Sequence, residues 1–175
     1  VTIDLITGFL GSGKTTFLKK YAEYLMDQGL HIGILENDFG AINVDMLMLH
    51  ELRGDQCELE MIAGGCDAES HRRRFRTKLI SMRMCGYDRV LVEPSGIYDV
   101  DEFFDVLREE PLDQWYEIGN VIAILDARLE NNFSQQADYL LASEAANAGK
   151  VILSHADAAN REQCENTVAH LTTHT

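Results

Sequence analysis

Gly8-Phe9-Leu10-Gly11-Ser12-Gly13-Lys14-Thr15 stands between a short apolar segment and a longer amphipathic one. The stretch fills every fixed position of G-x-x-x-x-G-K-[ST]. Its glycines let the backbone turn with positive φ, so that successive N–H groups converge on one anion. A helix opening near Lys14 adds its positive end to the same point. Lys14 brings a mobile charge for β- and γ-phosphates, and the Thr15 hydroxyl is a ligand for Mg²⁺. Gly11, Ser12, Gly13, Lys14 and Thr15 are therefore the expected nucleotide-binding residues, with Thr16 next to them.

Outward from this loop the pattern alternates. Val1 to Thr7, V-T-I-D-L-I-T, is β-branched and reads as a strand. Thr15 to Gln28 places Phe17, Leu18, Tyr21, Ala22, Leu25 and Met26 on one helical stripe, and Gly29 is the stop signal. Further strands are expected at 31–36, 59–63, 89–92, 118–125 and 151–153. Helices are expected at 44–52, 70–84, 100–108, 134–148 and 161–171, with Pro111 breaking the chain after the third of them. Strands alternating with helices predict an α/β fold: a P-loop NTPase three-layer sandwich, with a mostly parallel sheet and helices on both faces. No repeat or Pro/Gly/Ser-rich linker divides the 175 residues, so a single domain over 1–175 is expected. The first residue is not Met and the last lie within an apparent helix, which reads as a trimmed chain.

Composition excludes some functions. Lys and Arg number 15 against 29 Asp and Glu, a net charge of −14. Binding to nucleic acid or to an anionic membrane surface is disfavoured by that excess. Apolar runs such as Val121 to Leu125 are too short to span a bilayer. Four cysteines without a C-x-x-C, and no secretory signal, point to free thiols in the cytoplasm.

A phosphate-loop enzyme needs a carboxylate at the end of a buried strand to hold the Mg²⁺ shell. Arg89-Val90-Leu91-Val92-Glu93 supplies Glu93, and the amide of Gly96 in Glu93-Pro94-Ser95-Gly96 can reach a γ-phosphate. Asp126 is a second candidate, or a cap of the next helix. In Glu36-Asn37-Asp38-Phe39-Gly40, Asp38 is placed to reach the Mg²⁺ shell or a hydrolytic water, with Asp45 as a weaker choice. Lys14, Asp38, Glu93 and Gly96 are thus the expected catalytic set.

Taken together, the phosphate loop with Thr16, Asn37-Asp38-Phe39-Gly40 with Asp45, Gly65-Cys66, and Glu93-x-Ser95-Gly96 resemble the CobW-type metallochaperone GTPases, relatives of the urease and hydrogenase nickel-insertion GTPases. The resemblance runs in order from residue 1 to about 160. It implies a GTP-hydrolysing domain with Mg²⁺ near Thr15, Asp38 and Glu93. Nucleotide state would be coupled to a transition-metal cargo such as Zn²⁺ and to a metalloprotein client. It also implies that the family's C-terminal domain is absent from this stretch.

Two departures stand out. Where the family carries C-x-C-C, this chain has Cys66-Asp67-Ala68-Glu69, then Ser70 and His71. Cys66, Glu69 and His71 make a harder, mixed ligand set, with Cys57 as a further candidate. The alternative is a plain helix start in which the acids complement the dipole. The guanine-reading N-K-x-D is replaced by Ser154-His155-Ala156-Asp157. The Asp157 carboxylate can accept from both N1–H and the 2-amino group of guanine, with Ser154 standing in for Asn and His155 stacking on the base. GTP is therefore expected over ATP. An ATP-dependent kinase or ATPase, or a nucleotide-gated interaction protein without metal transport, are the alternative readings. Arg72-Arg73-Arg74 with Arg76 and Lys78 reads as a solvated helix face, or as a docking or homodimer surface. Trp115 and Tyr116 are expected to pack rather than to bind.

Overall fold

In the computed structural model the described residues are 1–7, 14–38, 51, 54–63, 68–93, 100–126 and 150–154. They form strands β1 (Thr2–Thr7), β2 (Ile32–Asp38), β3 (Cys57–Ala63), β4 (Arg89–Glu93), β5 (Glu117–Asp126) and β6 (Lys150–Ser154). The helices are α1 (Lys14–Asp27), α2 (Ala68–Met84), α3 (Val100–Arg108) and the single turn α4 (Leu112–Trp115). The helices expected at 44–52, 134–148 and 161–171 lie outside the described residues.

The six strands form one sheet in the order β3-β2-β4-β1-β5-β6, and every neighbouring pair is parallel. Parallel neighbours need crossovers, and those crossovers are right-handed. From β1 the chain steps one way along the sheet to β2. From β3 to β4, and from β4 to β5, it steps the other way. Reversing direction with constant handedness puts the intervening helices on opposite faces. Accordingly Leu18, Ala22 and Leu25 of α1 pack on Ile6, Ile34, Leu91 and Ile122. Phe75 and Leu79 of α2, Phe103 and Val106 of α3, and Leu112 of α4 pack on Leu5, Leu35, Val90 and Val92. The partition follows the two-residue alternation of each strand.

Local chemistry fixes the ends. Gly29 adopts φ +82°, with its N–H on Met26 O at 2.9 Å and the Leu30 N–H on Leu25 O at 3.3 Å. This is the paired bond pattern by which a left-handed glycine closes a helix. Tyr116, between α4 and β5, is buried and donates its hydroxyl to Leu79 O at 2.6 Å, so it ties that junction to α2 as packing. Among the described residues no helix is long and apolar enough to cross a membrane.

Gly33 of β2 lies under α2. A Cβ there would stand 2.8 Å from both the Met82 terminal methyl and the Tyr87 ring. The methionine end can swing aside, but the Tyr87 ring is held by its hydroxyl bond to Glu58 Oε2 at 2.7 Å. Gly33→Ala is therefore expected to destabilise the fold by about 1–3 kcal/mol. Urea unfolding checks this, with no shift in midpoint as the contrary result.

At the sheet's N-terminal end, Asp4 is fully buried among polar partners. Arg89 contacts it through Nε at 2.6 Å and Nη2 at 3.1 Å, Tyr21 donates its hydroxyl at 2.8 Å, and the Asn120 N–H donates at 2.6 Å. Strand β5 makes room with an irregularity. Ile3 pairs with Ile118 and Leu5 with Val121, so Gly119 and Asn120 together face Asp4. A Cβ on Gly119 would come within 2.2 Å of Asp4 Oδ1. The ion pair and its hydrogen bond hold the Arg89 guanidinium pKa above its ordinary value, and burial first of all raises that of Tyr21.

Candidate nucleotide site

Parallel strands end together, so the carboxyl ends of β1, β2, β4, β5 and β6 share one edge of the sheet. In open α/β sheets that edge is where ligands sit. Thr7 closes β1 and is buried. Lys14 is the first residue of α1, so the expected phosphate loop spans the interval from the end of the first strand to the start of the first helix. Residues 8–13 lie outside the described residues.

Thr15, in the first turn of α1, donates its hydroxyl to Glu93 Oε1 at 2.9 Å. The bond joins residues 78 positions apart and is buried. It brings together two residues that the sequence singles out for the same ion. Glu93 is the last residue of β4 and is 2% exposed. Thr16, one position on, is exposed.

Strand register adds a residue that sequence reasoning overlooked. Glu36 of β2 is paired with Glu93 of β4 and is 3% exposed. Both follow the alternation of residues that face α1, Ile34 on β2 and Leu91 on β4. Neighbouring strands are about 4.8 Å apart, so two buried carboxyls stand side by side under the start of α1. Such a pair is stabilised by a cation or a proton between its members. The signal was present in Glu36-Asn37-Asp38: the glutamate sits one alternation inside the aspartate. Asp38 closes β2, opposite Ala63 of β3.

Other expected site residues fall as follows. Ser154 is the last residue of β6, in register with Asp126 at the end of β5, so the segment expected to read the base leaves the sheet at the same edge. Asp45, Cys66, Asp67, Ser95, Gly96, His155 and Asp157 lie outside the described residues.

The mixed metal set is not assembled by its described members. His71 is buried and its Nδ1 lies 3.3 Å from Glu102 Oε1 of α3. Glu69 is exposed, 3.5 Å from Arg73. Residues two apart on a helix do not share a face, so the pair diverges. Cys57 opens β3, about 20 Å from the last residue of that strand at some 3.3 Å per residue. Its thiol is in the core under α1, where burial first, and then the Glu58 charge, pushes its pKa up to about 11. Among the described residues no three His, Cys, Asp or Glu side chains are grouped to hold a metal ion.

The profile of the CobW/HypB/UreG nucleotide-binding domain matches residues 2–175, nearly the entire sequence. The chain belongs to the CobW/HypB/UreG family. Its relatives include the zinc chaperone YjiA of Escherichia coli K12, 29% identical over 176 residues, which cover 93% of this chain and 52% of YjiA. The zinc chaperone YeiR of the same organism is 30% identical over 154 residues, covering 81% of this chain and 46% of YeiR. The chain thus spans about half the length of these relatives. Among solved structures, the Zn(II)-bound YjiA GTPase of E. coli superposes with a TM-score of 0.59 at 21% identity, over 98% of this chain and 54% of that one. The CobW/HypB/UreG fold accounts for the parallel sheet and for the phosphate-loop reading of its edge.

Proposed function

We propose that this domain binds and hydrolyses GTP, with Mg²⁺ held at Thr15 and Glu93, and that the whole protein couples this cycle to delivery of zinc or a related transition metal to a client protein. The observation that carries the proposal is the buried Thr15–Glu93 bond beneath the first turn of α1. A hydroxyl and carboxylates are hard oxygen donors, which suit Mg²⁺. Glu36, beside Glu93, adds negative charge at that point, and Asp38 is the further candidate for the Mg²⁺ shell. When bound, Mg²⁺ neutralises charge on the β- and γ-phosphates.

The chain's own residues do the rest. The loop amides of Gly11, Ser12 and Gly13, the start of α1 and Lys14 bind and orient the triphosphate. Asp38 positions the attacking water, and the Gly96 amide contacts the γ-phosphate. The water oxygen bonds to the γ-phosphorus as the bond to the β,γ-bridging oxygen breaks. GDP leaves with that electron pair, and the water's protons pass to solvent and phosphate. Catalysis is positioning and electrostatics. Asp157, with Ser154 and His155, favours guanine. Family membership weighs against the ATP-dependent kinase reading. For the cargo, Cys66 is the candidate thiolate. Glu69 and His71 are the further candidate ligands, with Glu69 beside Arg73 and His71 beside Glu102 among the described residues.

Glu93→Gln tests the proposal. It keeps the shape and an acceptor for Thr15 but removes the charge. Mg²⁺-supported GTP turnover is expected to fall by about 100- to 1,000-fold. Affinity for GTP in EDTA should stay within a few-fold. Wild-type turnover in this variant, or equal turnover of ATP and GTP by the unaltered chain, would refute the proposal.

A further inference from the structure

The basic run on α2 is divided between two sides of the helix. Arg72 and Arg76 turn to the end of α3, where both meet Glu109, the residue that follows it, Arg72 through Nε at 3.1 Å and Arg76 at 3.2 Å. Arg76 also donates to Glu110 O at 2.8 Å. Arg74, Thr77 and Ser81 recur at three- and four-residue spacing and so form a stripe on another side. With Met61 and Ile62 of β3 they line a groove of ≈ 450 Å³. Arg73 and Lys78 complete its wall.

Strand β3 ends the sheet, and among the described residues its ladder partner is β2 on one side alone. At Cys57 that strand also bonds Gly54, and beyond it no ladder partner is found on the other edge among the described residues; natural proteins rarely leave such an edge without cover. The groove lies beside that edge, and Met61 at its rim is 41% exposed. Methionine adapts its shape to what it touches.

Charge selects the occupant. Among the described residues no carboxylate lines the groove, while Arg73, Arg74 and Lys78 do. Lys78 is balanced by Glu60 at 2.6 Å. The 3.5 Å contact of Arg73 with Glu69 joins two exposed groups, so water and salt screen it. The chain as a whole carries −14, which repels a long polyanion such as nucleic acid. A short segment held by backbone pairing gains from the arginines without meeting that wider field.

We propose that the β3 edge and the α2 stripe form a docking groove for an extended acidic segment of a partner protein. The segment adds as a further strand beside β3, with its carboxylates on Arg73 and Arg74 and an apolar side chain on Met61. The proposal needs no nucleotide and stands apart from the GTPase reading.

The test titrates four labelled probes into the full chain without nucleotide, followed by fluorescence anisotropy. The probes are the peptide E-V-E-T-E-V-E-T, its K-V-K-T-K-V-K-T counterpart, the acidic peptide N-methylated at alternate residues, and an eight-nucleotide oligothymidylate. Saturable binding of the acidic peptide alone is expected. Amide shifts should be centred on 57–63, and affinity should fall at least tenfold in the Arg73→Glu/Arg74→Glu double variant. Both arginines are exposed, so that variant should keep the wild-type circular dichroism spectrum. Equal binding of the lysine or N-methylated peptide would overturn the proposal, as would preference for the oligonucleotide or no acidic-peptide binding at millimolar concentration. If the double variant is misfolded, Thr77→Glu/Ser81→Glu, at two exposed sites in the same stripe, must weaken binding instead, and unchanged binding there also overturns it.

Discussion

Replacing Lys14 by alanine is expected to weaken GTP binding by about 2–5 kcal/mol, roughly 30- to 5,000-fold in affinity, and to abolish turnover. Lys14 opens α1, and no acidic residue occupies that helix's first turn. The positive end of the helix lies where the triphosphate is proposed to sit, and Lys14→Ala removes a unit positive charge from that end. The fold does not depend on this residue, because α1 is anchored through Leu18, Ala22 and Leu25. A titration calorimeter with GTP and Mg²⁺ reads the loss directly, and thermal unfolding serves as the control. Wild-type affinity and turnover in Lys14→Ala would overturn the nucleotide assignment.

The largest effect on stability is expected from Asp4→Ala. This change leaves the Arg89 guanidinium, which is 22% exposed, without its 2.6 Å partner, and strips the Tyr21 hydroxyl and the Asn120 N–H of a common acceptor. Breaking such a pair costs about 3–5 kcal/mol, because the remaining charge stays partly buried. The partial exposure of Arg89 points to the lower end. Asp4→Asn retains an acceptor but no charge, so its loss should fall between wild type and alanine. Urea denaturation ranks the three, and a loss below about 1 kcal/mol for Asp4→Ala would show that the network contributes little.

How far these residues were legible beforehand depended on what each one pairs with. The phosphate-loop strand and helix could be read because periodicity and glycine chemistry are local. Phe17, Leu18, Tyr21, Ala22, Leu25 and Met26 all lie in or against the α1 core, and Gly29 closes the helix. The strand at 59–63 begins two residues earlier than its apolar pattern, because Glu58 finds Tyr87 and Glu60 finds Lys78. Asp4 was opaque. Its partners come from β4, α1 and β5, and an acid in an alternating strand looks like an outward-facing residue. The break at Gly119-Asn120 in an otherwise apolar strand was the available signal, since glycine inside a strand marks a bulge or a close approach. Glu36 was passed over for Asp38 because register with Glu93 is a property of the sheet, not of either strand. The arginine run divided in a way no local pattern announces: which of its members turn to Glu109 is decided by the residue that follows α3, 33 and 37 positions from Arg76 and Arg72.

The buried thiol at the start of β3 has a practical consequence. With its pKa near 11, Cys57 is ionised in only about one molecule in ten thousand at pH 7, and no solvent reaches it in the native fold. Cys85, by contrast, is exposed. An alkylating reagent should therefore mark Cys85 at once and Cys57 only during excursions that lift α1 off the sheet. Peptide mapping of the slow adduct then clocks the breathing of the layer on which the first helix rests, without any label being engineered into the chain.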